Sequence, residues 1–79
     1  MERNNYTEKF KQWLDICMKS NGIESYSELA NKIGVSRQSL YNWIKDPTKI
    51  KKYILAGMMY ILNVRNITLD SLCSMFGIE

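Results

Sequence analysis

The stretch ELANKIGVSRQSLYNWI, residues 28–44, carries apolar residues at helical spacing on both sides of a single glycine. Leu29, Ala30 and Ile33 follow the 3.6-residue period, the rhythm stops at Gly34, and Leu40, Trp43 and Ile44 resume it. Ser25 with Glu28 three residues on is a capping signature for the helix before the break, about two turns long. Ser36 can cap the helix after it by accepting a bond from a backbone N–H near Gln38 or Ser39. Two helices joined by so short a turn must cross at a steep angle, and each position of that corner demands a residue type. A small side chain is needed where the helices touch, and Ala30 stands there. Positive φ is needed where the chain reverses, which Gly34 adopts without steric cost. Val35 then plugs the corner, while Leu29, Ile33, Leu40 and Trp43 face inward. The spacing predicts a helix-turn-helix.

The flanking segments read as three more helices. Tyr6, Phe10, Trp13, Leu14, Cys17 and Met18 fall on one face of a first helix, with Asn5 and Glu8 as a capping pair and Asn21-Gly22 as its stop. The helix after Gly34 must end near Asp46, because Pro47 disfavours helical geometry at the residue before it. Ile50, Tyr53, Ile54, Gly57, Met58, Ile61 and Leu62 outline the buried stripe of a fourth helix, in which Gly57 is a weak point unless another backbone packs closely there. The mainly polar stretch 63–66 breaks the rhythm. Thr68 can cap a last helix with Asp70 in its first turn, burying Leu69, Leu72, Cys73 and Phe76 before Gly77. No strand pattern and no internal repeat stand out, so the expected fold is all-α, five short helices around one core in a single domain over 79 residues.

An apolar fraction of 46% with two Trp, five Tyr and two Phe suffices for such a core without metal or disulfide staples. Residues 53–64 are the most apolar run, yet fall short of the roughly 20 residues that span a bilayer, so no membrane association is expected. Cys17 and Cys73 each fall on an apolar helix face, where packing explains them better than ligation or nucleophilic chemistry. With no His and no secretion signal, the reading is reduced cysteines in the cytoplasm of a bacterial cell or phage-infected host. No metal-ligand spacing, no phosphate-binding glycine loop and no forced pair of carboxylates points to catalysis, and no cofactor is implied.

Charge is uneven. From Lys32 to Lys52 six bases (Lys32, Arg37, Lys45, Lys49, Lys51 and Lys52) stand against the single acid Asp46, a balance of +5 in a chain whose total is +3. One basic face suits a polyanionic partner.

In Leu29, Ala30, Ile33, Gly34, Val35, Leu40 and Trp43 the segment from Tyr26 to Lys45 resembles the helix-turn-helix of the phage repressor and Cro (XRE-like) family of transcriptional regulators. The resemblance extends over nearly the whole chain, although Asp46-Pro47-Thr48 replaces the Gly-rich turn common after the recognition helix in that family. It implies a compact five-helix lambda-repressor-like domain with a recognition helix at about residues 36–45 in the major groove of double-stranded DNA. Ser36, Arg37, Gln38, Tyr41 and Asn42 would then face base edges. Amides of Gln38 and Asn42 can pair with adenine N6 and N7, and Arg37 with guanine O6 and N7. Tyr41 offers a ring edge to a thymine methyl and a hydroxyl to phosphate. Ser27, Lys45, Lys49, Lys51 and Lys52 would hold phosphates, supplying salt-dependent affinity.

A single recognition helix covers only a few base pairs, so a homodimer on an inverted-repeat operator is expected. Without an additional domain the chain is more like a Cro-type or other small phage or bacterial regulator than a full repressor. Self-association would use the last helix and the C-terminal tail, where Met75 and Ile78 lie beside the stripe through Leu72 and Phe76. The competing expectation is a protein-binding adaptor or antirepressor on the same scaffold, whose affinity would reside in an apolar patch.

Overall fold

The computed structural model describes residues 5–78, with side chains from residue 6 onward. Among the described residues there are five α-helices, one 3₁₀ turn and no strand: α1 (Asn5–Ser20), α2 (Tyr26–Ile33), α3 (Arg37–Lys45), the 3₁₀ turn Pro47–Lys49, α4 (Lys52–Ile61) and α5 (Leu69–Phe76). The five expected helices are all present. The expected Asn5–Glu8 capping pair rests on the Asn5 side chain, which lies outside the described residues.

The other starts are capped as their sequences demand. Ser25 Oγ accepts from the Glu28 N–H, Ser36 Oγ from Ser39 and Thr68 Oγ1 from Ser71. Glu28 reaches back as a capping-box acid should, although Oε1 accepts from the N–H of Glu24 at 3.1 Å, one residue before the cap. α4 differs, since its N-cap Lys51 makes no side-chain bond to the first turn.

Four helices end in the same way. A left-handed residue follows the last turn at Gly22, Gly34, Asn63 and Gly77, with φ of 69°, 89°, 58° and 69°. The N–H of the next residue then reaches back to a carbonyl five positions earlier, from Ile23 to Met18, Val35 to Ala30, Val64 to Met59 and Ile78 to Cys73. That following residue is apolar every time and folds onto the core, the closure that satisfies orphaned helix carbonyls. α3 alone ends otherwise, running through Asp46 (φ −146°) into Pro47.

The core gathers Phe10, Leu14, Leu29, Leu40, Leu55, Met58, Leu72 and Phe76, all fully or almost fully buried, with Ala30 at the α2–α3 crossing. Phe10, Trp13 and Phe76 pack as three rings, with Phe10 and Phe76 edge-on at 5.2 Å, and they join α1 to α5. Cys17 and Cys73 are buried free thiols, as their apolar positions imply.

Three expectations are corrected. The buried stripe of α4 is Leu55, Met58 and the following Leu62, whereas Tyr53, expected inside, is 72% exposed. The stripe is rotated because α4 starts at Lys52, two residues after the separately buried Ile50. Leu69 is only partly buried, while Leu72, Cys73 and Phe76 carry the core face of α5. Ile78, expected outside the core as a self-association contact, is 5% exposed because the closure at Gly77 folds it inward.

Candidate nucleic-acid interface

α3 is held from within and open from without. Leu40 and Ile44 are buried and Trp43 is half-buried against the core, so the helix cannot roll about its axis without exposing them. Gly34, left-handed at φ 89°, receives α2 and turns the chain, while its own N–H and that of Val35 both donate to the Ala30 carbonyl. At the far end the Thr7 hydroxyl donates to the Lys45 carbonyl at 2.8 Å, tying the start of α1 to the last turn of α3. Asp46 then caps the 3₁₀ turn by accepting from the Thr48 N–H at 3.3 Å.

The outward side carries the expected residues. Ser36, Arg37, Gln38, Tyr41 and Asn42 are all exposed. They do not hang free. The Gln38 amide donates to Asn42 Oδ1 at 3.2 Å, one turn on, so the two carboxamides form a single polar strip. Arg37 Nη1 donates to Ser27 Oγ at 3.0 Å, across the turn to the start of α2. Ser36 Oγ is engaged with Ser39, both as acceptor from its N–H and as donor to its hydroxyl at 3.0 Å. Capping is therefore the observed work of Ser36.

Tyr41 packs edge-on against Tyr26 of α2, with ring centroids 5.9 Å apart. Behind it the Tyr26 hydroxyl donates to Asp15 Oδ1 of α1 at 3.5 Å. Burial holds the Tyr26 hydroxyl above its ordinary value, and the Asp15 charge and hydrogen bond push the same way. A file of side chains thus runs from α1 through α2 to the outer face of α3, which the helix periodicity alone does not disclose.

Lys45, Lys49, Lys51 and Lys52 are exposed along the path from the end of α3 to the start of α4. Lys51 makes no side-chain bond to the first turn of α4, so that helix begins without a side-chain cap, between the exposed residues Lys51 and Lys52. Tyr53, in the same first turn, is exposed, which sequence reasoning missed because its spacing matches the apolar stripe. Lys32, counted with these bases by position, lines a separate groove with the end of α4. No described helix is long and apolar enough to cross a membrane.

The family model for the bacteriophage CI repressor helix-turn-helix domain matches residues 12–77. No curated protein and no solved structure matches the chain significantly. The match takes in the whole corner at Gly34 and everything from the middle of α1 to the end of α5. This chain belongs to the bacteriophage CI repressor helix-turn-helix family, a family of DNA-binding transcriptional repressor domains and not a class of enzymes.

Proposed function

We propose that the chain is a Cro- or repressor-like regulator that reads double-stranded operator DNA through the outer face of α3. The observation that carries this reading is the division of α3 itself. Leu40 and Ile44 lock one side into the core, and Arg37, Gln38, Tyr41 and Asn42 occupy the other. In such motifs the N-terminal part of the recognition helix meets base edges in the major groove. The linked Gln38 and Asn42 amides offer both donor and acceptor to adenine, and Arg37 leaves Ser27 to take a guanine or an adjacent phosphate.

Phosphate contact falls to Ser27, Lys45, Lys49, Lys51 and Lys52, with the Tyr53 hydroxyl added. The uncapped first turn of α4 supports this assignment, since its N–H groups point out of the helix end toward any bound anion. Two copies bind one inverted repeat. Each molecule measures 34 × 26 × 20 Å, so copies placed on successive major grooves about 34–36 Å apart stand side by side on one face of the duplex.

Selection of bound duplexes from a random DNA pool tests the reading. The expected result is a palindromic consensus whose half-sites lie about one helical turn apart. Gln38→Ala is expected to relax preference at one half-site position by about 1–3 kcal/mol. Lys52→Ala is expected to weaken binding to all sequences and to lower the salt slope by about 1. Enrichment of no sequence, with both variants binding as the parent does, would overturn the proposal in favour of a protein-binding adaptor.

A further inference from the structure

The groove containing Lys32 shares no residue with α3 or with the lysines that follow it. It has a volume of about 760 Å³ and is formed by the end of α2, the link after α1, and the end of α4 with the loop beyond it. Lys32 and Arg65 are its charged residues, both cationic, while the partly buried Met59, Ile61 and Val64 supply apolar surface over the buried Ile23. Tyr60 stands at its side 86% exposed, an aromatic ring left outside the core on the most apolar helix of the chain.

The wall is built firmly. Asn21 Nδ2 donates to the Cys17 carbonyl at 2.7 Å and to the Leu62 carbonyl at 2.9 Å. Asn63, in the left-handed conformation, donates back to Asn21 Oδ1 at 3.1 Å. The linker after α1 and the end of α4 are thereby clasped together, and the groove between them exists before any partner arrives.

Two cations beside apolar surface and an exposed tyrosine are complementary to carboxylates interleaved with apolar side chains. A nucleic-acid backbone would use the cations and leave the apolar surface unmatched. We propose that this groove docks a short acidic, amphipathic segment of a protein partner, its carboxylates against Lys32 and Arg65 and an apolar side chain against Met59 and Val64. Tyrosine and arginine are among the side chains enriched at the anchoring positions of such interfaces. The docking leaves the outer face of α3 free, so partner and DNA can be held together.

The test is a titration of the whole chain, followed by amide NMR shifts, with two synthetic peptides: one alternating Glu with Leu, and polyglutamate of equal length. The basic path from Lys45 to Lys52 serves as an internal competitor for simple charge attraction. Saturable shifts at Ile23, Met59 and Val64 are expected with the alternating peptide only. Arg65→Glu combined with Tyr60→Ala, both exposed positions, is expected to weaken that peptide about tenfold. Duplex-DNA affinity of the same variant should stay as in the parent. Shifts confined to residues 36–53, equal binding of polyglutamate, or no saturable shift would overturn the proposal. So would a fall in DNA affinity of the double variant, which would make the groove a phosphate contact. Failure of the DNA reading leaves the peptide result unaffected.

Discussion

A methyl group added at Gly57 meets no other atom within 4 Å, whereas one added at Gly77 would stand 2.5 Å from Cε2 of Tyr6. Gly57 lies inside α4 with no backbone packed on it, so Gly57→Ala is expected to stabilise the fold by about 0.5–1 kcal/mol through helix propensity alone. At Gly77, φ of +69° adds about 1–2 kcal/mol of backbone strain for any L side chain, and the tyrosine ring must also move. Urea denaturation midpoints of the two alanine variants should therefore shift in opposite directions. Tyr26 makes a pH prediction. Its raised hydroxyl value favours the neutral phenol in the fold, so this contribution is complete below the unfolded value near 10 and is lost as pH climbs through the higher folded one. Tyr26→Phe should lose less stability than the parent over that alkaline range, as followed by thermal melts at rising pH. Residue identities at the corner were legible in the sequence because geometry there admits few alternatives: a small residue at Ala30, a left-handed one at Gly34. The inward face of α4 was less so. Tyr53 and Leu55 are both compatible with a helical stripe in a run as apolar as residues 53–64, and only the starting register of the helix decides between them.

Helix existence followed from caps and period, whereas helix endings held more than the period reveals. Gly22-Ile23, Gly34-Val35, Asn63-Val64 and Gly77-Ile78 are one device used four times, a left-handed residue followed by an apolar one that folds back. Reading only the first member of each pair explains the stop and misses the burial of the second, which is why Ile78 looked available for association. Met75, 38% exposed on α5, is the apolar residue of that expected surface that remains accessible. The clasp made by Asn21 belongs to the same level, since it satisfies carbonyls at the ends of both α1 and α4. Asn21→Ala is expected to cost about 1–3 kcal/mol by leaving the Leu62 carbonyl without its partner. Faster hydrogen exchange at Asn63 and Val64, with α3 amides changed only as global stability dictates, would locate the effect at this junction.

For the molecule as a whole, the two thiols report on integrity. Cys17 and Cys73 are buried on different helices and unpaired, and burial also pushes the Cys17 thiol up, away from the reactive thiolate. A thiol-reactive disulfide dye should label neither at a rate above that of global unfolding, and reductant should leave the melting temperature unchanged. Rapid labelling of the native protein would show that the core opens locally. The distribution of charge follows the fold only in part: contiguous sequence suggests one basic region, and the structure divides it, with Lys32 lining the groove at the end of α4 and the later lysines strung from the last turn of α3 to the start of α4.

The division of labour within α3 also bears on how such a chain can change over generations. Leu40 and Ile44, with Trp43, supply its attachment to the rest of the molecule, while Arg37, Gln38, Tyr41 and Asn42 contribute no fully buried surface. Exposed substitutions away from special backbone positions usually alter stability by no more than about 0.5 kcal/mol. Arg37, Gln38 and Asn42 can therefore drift with little risk of unfolding, provided the three inward positions stay, whereas Tyr41 also keeps its ring against Tyr26; under the proposed function such drift would change what the molecule binds.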